Sequence, residues 1–118
     1  MEPTVDYDGA PGLVRMWKTI ENYDGSDNYL ILSGGDNLTG PAISTWFHGE
    51  SMVEVMNAME YDVSAIGNHE FDFGLDGLYE RLEQMNFPFV SANIKNKTTG
   101  EIPAFAKPYV IIIIQPIK

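Results

Sequence analysis

The stretch Ala65-Ile66-Gly67-Asn68-His69-Glu70-Phe71-Asp72-Phe73-Gly74 decides how the chain is read. An apolar run over 63–66 has the length and β-branched character of a short buried strand, and Gly67 ends it. Asn68, His69, Glu70 and Asp72 follow within five positions, and Gly74 closes the loop. A strand that empties into glycine and polar side chains presents them at its carboxyl end, where open α/β sheets bind ligands. His69 and Asp72 are three apart, so a tight loop lets the carboxylate hold one ring nitrogen and leaves the other free to move a proton. Asn68 offers an amide oxygen suited to a hard or borderline metal ion. Alone, this segment is equally readable as an ordinary turn, because Gly and Asn tolerate positive φ and His and Glu solvate well.

A second stretch changes that balance. Tyr29-Leu30-Ile31-Leu32-Ser33-Gly34-Gly35-Asp36-Asn37 is another apolar run ending in glycines and a carboxylate. Two neighbouring parallel strands with polar tips at the same end make one site. The pair Gly35-Asp36-Asn37 and Gly67-Asn68-His69-Glu70 resembles the second and third motifs of the calcineurin-like metallophosphoesterases. Asn57-Ala58-Met59-Glu60-Tyr61-Asp62 before the core loop and Ser91-Ala92-Asn93 after it resemble the 5′-nucleotidase branch. The resemblance runs from about residue 12 to 110.

At 118 residues the chain amounts to one domain at most, with room for a modest core. It is 44% hydrophobic and 20% charged, an ordinary globular composition. Seventeen acidic residues against seven basic ones give a formal net charge of −10, which argues against binding a nucleic-acid polymer through a basic surface. The same charge repels a phosphate ester unless bound cations offset it. Without cysteine there is no disulfide, thiolate ligand or thiol nucleophile. The N-terminus has no basic and apolar leader pattern, and the apolar run at 111–114 is far too short to span a membrane.

In chain order, 1–12 is rich in Pro, Gly and Asp and reads as loop. Leu13, Trp17 and Ile20 recur at helical spacing and predict a helix over 13–23. A strand is expected over 28–33, then a long loop to 49 with a helical turn near 43–47. A helix over 51–60 has Met52, Val55, Met56 and Met59 as its apolar face, a core stripe. A strand over 62–66 precedes the core loop. Leu75, Leu78, Leu82 and Met85 predict a helix over 75–85 with Glu80, Arg81 and Glu83 exposed. Strands are expected over 87–92 and over 109–114, the last apolar enough for burial on both faces. The order α-β-α-β-α-β-β argues for an α/β fold with a mostly parallel sheet, flanking helices and right-handed crossovers.

The resemblance implies part of a four-layer α/β/β/α sandwich, with residues 1–118 as the N-terminal half of an incomplete domain. It implies hydrolysis of a phosphate ester of a nucleotide, with two divalent ions (Mn, Zn or similar) in the full site. On that reading Asp36 and Asn68 are metal ligands, and His69 stabilises the transition state or protonates the leaving oxygen. Asp72 orients His69, while Asn37 and Glu70 support the loops. The family's first motif, Asp-x-His, has no counterpart after an apolar strand here: Asp6-Tyr7-Asp8 has a similar spacing but reads as loop. Its later histidine motifs would fall after Lys118. The other histidine, His48, reads as a solvated loop residue. One carboxylate and one amide hold a metal weakly, so the isolated chain is expected to have little or no phosphatase activity. The alternative is a non-catalytic binding or oligomerisation module, with a homodimer or a complementary chain completing the fold. Enzymes of the resembled branch are often secreted, periplasmic or at the cell surface.

Overall fold

The computed structural model describes residues 8–26 and 28–114, which fall into two compact units: the residues before Ile31 together with those after Ile112, and Ile31–Ile112. The first unit is built on α1 (Gly9–Ile20). This helix starts four residues before the predicted position, within the stretch read as loop. Pro11 causes no break because it lies in the first turn, where its missing N–H would have had no helical acceptor. Asp8, at the helix start, accepts a 2.5 Å bond from Arg15 Nη2. The helix ends at Ile20 rather than at Tyr23: Asn22 takes a left-handed φ of +57°, and the Tyr23 N–H turns back to Trp17 O at 3.0 Å. Trp17, Tyr23 and Tyr29 then stack edge to face, at 6.0 and 5.3 Å between successive ring centroids.

The second unit carries the sheet. β1 (Leu32–Ser33), β2 (Val63–Ala65) and β3 (Phe89–Val90) are parallel in the order β1-β2-β3. Leu32 is opposite Val63, and Ser64 is opposite Phe89. The parallel sheet with helical crossovers is as expected, but each strand is shorter than its apolar run. Asp62 extends the β1–β2 pairing with a side chain: its Oδ2 accepts the Ile31 N–H at 2.8 Å, and its own N–H donates to Ile31 O at 2.9 Å. Between β1 and β2 lie α2 (Ala42–Trp46) and α3 (Glu50–Ala58), and α4 (Gly74–Gln84) lies between β2 and β3. The helical turn near 43–47 is therefore a short helix.

The core of this unit gathers Leu38, Val53, Met56, Leu78 and Phe89, with Met52 and Met59 alongside. The Met stripe of α3 is buried as predicted, but its fourth member is Val53 and not Val55, which is half-buried. Asn57, on the same helix, ties α3 to the approach to β3: its Nδ2 donates to Gln84 O at 2.8 Å and its Oδ1 accepts the Asn86 N–H at 2.9 Å.

Two sequence expectations fail here. Arg81, expected on the exposed face of α4, is 6% exposed, and its Nη1 donates to His48 O at 3.1 Å and Phe47 O at 3.4 Å. The guanidinium thus serves the His48 carbonyl and shares Phe47 O with the Glu50 N–H, which bonds it at 3.0 Å, a role that its charge does not reveal in sequence. The run at 109–114 forms no strand. A parallel bridge joins Val90 to Lys107 instead, with Ser91 N–H donating to Lys107 O at 2.8 Å. β3 itself ends at Val90 and the chain bends at 92–93, so no neighbouring strand runs on to pair with this run, and Tyr109, Ile111 and Ile113 are 70%, 77% and 89% exposed rather than buried.

Candidate active site

Both polar tips lie at the carboxyl ends of adjacent strands, and a buried carboxylate joins them. Glu70 has no solvent exposure. Its Oε2 accepts the backbone N–H groups of Gly67 at 2.6 Å and Asp36 at 2.9 Å, and its Oε1 accepts the Asn37 N–H at 2.5 Å. Three N–H groups from two loops thus converge on one side chain, which compensates its burial. Asn37 adds a second tie: its Nδ2 donates to Ser64 Oγ at 2.9 Å, and its Oδ1 accepts from Ser33 Oγ at 2.6 Å.

The tips also touch through backbone. Gly35 has φ +97°, and a Cβ built on it would lie 2.6 Å from Gly67 N. A Cβ on Gly67 would run into the Asp36 carboxylate. Asp36 itself takes φ +57°, a left-handed conformation that Asp and Asn tolerate better than most residues. Its Oδ1 accepts the His69 N–H at 3.0 Å. The first turn after β2, the 3₁₀ segment His69–Phe71, then brings His69 back over Asp72.

His69 Nδ1 is 2.8 Å from Asp72 Oδ2, with both side chains about half-exposed. Thr39, from the loop after β1, donates its hydroxyl to the same Asp72 oxygen at 2.9 Å. Sequence reading passed over Thr39, since nothing in the sequence ties it to an aspartate 33 positions further on. The hydrogen bond to Asp72 holds the His69 imidazole above its ordinary pKa of 6.5, and the charge of Asp72 acts in the same direction. Asp72 is correspondingly held below 3.8, first by His69 and then by Thr39. The His69 contribution to stability is complete below about 6.5 and is lost as pH rises through the raised folded value; that of Asp72 is present above 3.8 and lost as pH falls through its lowered one. Asp72→Asn is expected to bring the His69 inflection, read from its ring-proton NMR shifts, down toward 6.5. An unmoved inflection would refute the pairing.

Asp36, His69 and Asp72 are thus joined by hydrogen bonds, and Asn68 is exposed next to His69 in sequence. His48 is apart from them in its contacts: it is exposed, with its ring 5.0 Å from that of Phe73. Of the Asp6-Tyr7-Asp8 triplet, Asp6 and Tyr7 lie outside the described residues, and Asp8 is paired with Arg15. Ser91 and Asn93 bond to each other, Oγ to Oδ1 at 2.9 Å.

A family model described as calcineurin-like phosphoesterase matches residues 6–112. The chain belongs to the calcineurin-like phosphoesterase family. Human 5′-nucleotidase is 36% identical over 105 residues, which is 86% of this chain and 18% of the human protein. Protein UshA of Salmonella pullorum is 45% identical over 89 residues, covering 75% and 16%. Among solved structures, the NAD nucleotidase NadN of Haemophilus influenzae superposes with a TM-score of 0.67 at 35% identity, covering 85% of this chain and 19% of that one. The calcineurin-like phosphoesterase YfkN of Bacillus subtilis gives 0.68 at 28% identity, covering 89% and 34%. These similarities place the phosphoesterase chain in the 5′-nucleotidase branch, and it spans less than a fifth of the curated relatives just named. No helix among the described residues is long and apolar enough to cross a membrane.

Membership of this family implies divalent metal ions. The residues present fit such ions only in part. Asp36 and Asn68 are both exposed and carry one oxygen-donor group each, and no group of three or more His, Asp or Glu side chains among the described residues gathers into a metal cage. A two-metal cluster needs a denser set of anions and imidazoles than this.

Proposed function

We propose that this chain supplies one wall of a site that hydrolyses a nucleotide phosphate ester. The reading rests on the His69–Asp72 pair, 2.8 Å apart, anchored beside Asp36 by the His69 N–H. With Nδ1–H donated to Asp72, Nε2 is the ring position that faces substrate. The raised pKa of His69 keeps more of the imidazole protonated near neutral pH, so Nε2–H can bond a phosphoryl oxygen or pass its proton to the leaving oxygen. Asp72 fixes the ring and Thr39 fixes Asp72. Asp36 and Asn68 contribute ligands to the metal site, and Asn37 and Glu70 hold the loops that carry them. Residues 1–118 are a partial phosphoesterase domain, and their donor set is too sparse to turn over substrate.

Manganese titrated into the ¹⁵N-labelled chain tests this. Amide signals of Asp36 and Asn68 should broaden first, and Asp36→Asn, which keeps the left-handed backbone, should weaken the effect by roughly 10-fold or more. Broadening elsewhere, indifferent to Asp36→Asn, would overturn the ligand assignment. Phosphate release from AMP should stay at the level of His69→Ala; release that this substitution abolishes would overturn the inactivity of the isolated chain.

Exposed apolar side chains favour a second reading. Leu32 on the edge strand β1 is 62% exposed, and Tyr109 and Ile111 more so. Exposed apolar side chains on an edge strand and after the bridge at Lys107 suit a non-catalytic module whose fold is completed by a second copy or a complementary chain. Sedimentation of a stable monomer would count against it.

A further inference from the structure

Two stretches match the N-linked glycan acceptor pattern, Asn-x-Ser/Thr with x other than Pro: Asn37-Leu38-Thr39 and Asn96-Lys97-Thr98. The fold treats them oppositely. Asn37 is half-buried, and its amide is engaged with Ser33, Ser64 and Glu70, the last two without solvent exposure. Its Thr39 is committed to Asp72. A sugar on Asn37 Nδ2 would have to replace the contacts that join the two strand tips.

Asn96 is in a turn where every residue from 95 to 101 is exposed. Backbone closes that turn: the Asn96 N–H donates to Glu101 O and the Gly100 N–H to Asn96 O, both at 2.8 Å. Only the amide oxygen of the side chain is used, accepting the Thr98 N–H at 2.8 Å and the Thr99 N–H at 3.2 Å. Nδ2 makes no hydrogen bond among the described residues. The turn therefore keeps all its bonds if that nitrogen is substituted.

We propose that Asn96 is an N-glycan acceptor and that Asn37, despite the same pattern, is not one in the folded protein. The donor is an oligosaccharide carried on a lipid diphosphate. Nδ2 attacks C1 of the first sugar, the N–C1 bond forms as the C1–O bond to the diphosphate breaks, and one amide proton is lost to a base. The lipid diphosphate leaves, and nothing is oxidised or reduced. A glycan here marks the 95–101 turn as solvent-facing. None of this depends on phosphoesterase chemistry, and the readout is mass.

The full chain, carried behind a cleavable secretion leader, is expressed in mammalian cells and the secreted protein is treated with peptide N-glycosidase. Treatment should increase gel mobility and leave aspartate at position 96 in the peptide mass spectrum, with Asn37 unmodified. Thr98→Ala, which leaves Asn96 and its turn intact, should abolish the mobility difference, and Thr98→Ser should keep it. Translation of the same variants into microsomes reads the Asn96 modification even if a variant is not secreted. An unmodified Asn96, a glycan on Asn37 in the secreted protein, or a position-96 glycan that survives Thr98→Ala would overturn the proposal.

Discussion

Glu70→Gln is expected to lower the folding stability of the chain by about 2–6 kcal/mol, as one buried acceptor serving three backbone donors loses its charge and half its accepting geometry. An amide can present oxygen to one side only. Either Gly67 and Asp36, or Asn37, would then face an NH₂ group, leaving at least one buried N–H unpaired at a cost of about 1–3 kcal/mol. The remaining bonds weaken because the acceptor is neutral. Against a typical total of about 5–15 kcal/mol, a change of this size is visible as a large drop in the urea midpoint. Amide exchange at Asp36, Asn37 and Gly67 should accelerate together, since one side chain protects all three. A midpoint shift worth less than about 1 kcal/mol would show that the tips are held by something other than Glu70.

Gly35→Ala should be nearly as damaging, for a steric reason. The new Cβ would meet Gly67 N at 2.6 Å and Ala65 O at 3.1 Å, atoms of the neighbouring strand's backbone that cannot swing aside as a side chain can. Its φ of +97° adds strain of order 1–3 kcal/mol for a residue with a Cβ. The two effects together should cost about 3 kcal/mol or more. Gly34→Ala is the matched control: nothing lies within 4 Å of its Cβ and φ needs no left-handed value. Thermal unfolding of the two variants should differ by several degrees; equal melting temperatures would mean that the tips are not in close contact. Because His69 is anchored to Asp36 across this contact, Gly35→Ala should also disturb the His69 ring signals while Gly34→Ala leaves them alone.

Much of this was legible in the residues themselves. Apolar runs broken by glycine, alternating with 3–4-spaced apolar positions, dictate a parallel α/β arrangement, and the spacing of His69 and Asp72 dictates their pairing within one loop. Both are local properties, and local periodicity is what a sequence records. What it does not record is where a side chain goes once distant segments meet. Thr39 reaches Asp72 across 33 positions, and Arg81 turns inward to the His48 carbonyl, also 33 positions away. The run at 109–114 is as apolar as any strand, yet it stays exposed: β3 ends at Val90 and the chain turns away at 92–93, leaving the run no strand to pair with after Lys107. Composition alone also misread the start of α1, where Pro11 is harmless only because of its position in the first turn. The linear order of residues thus determined the kinds of element and the chemistry offered at each strand tip. The packed chain decided which tips meet, because a hydrogen bond or a steric contact between remote residues exists only after the intervening backbone has folded.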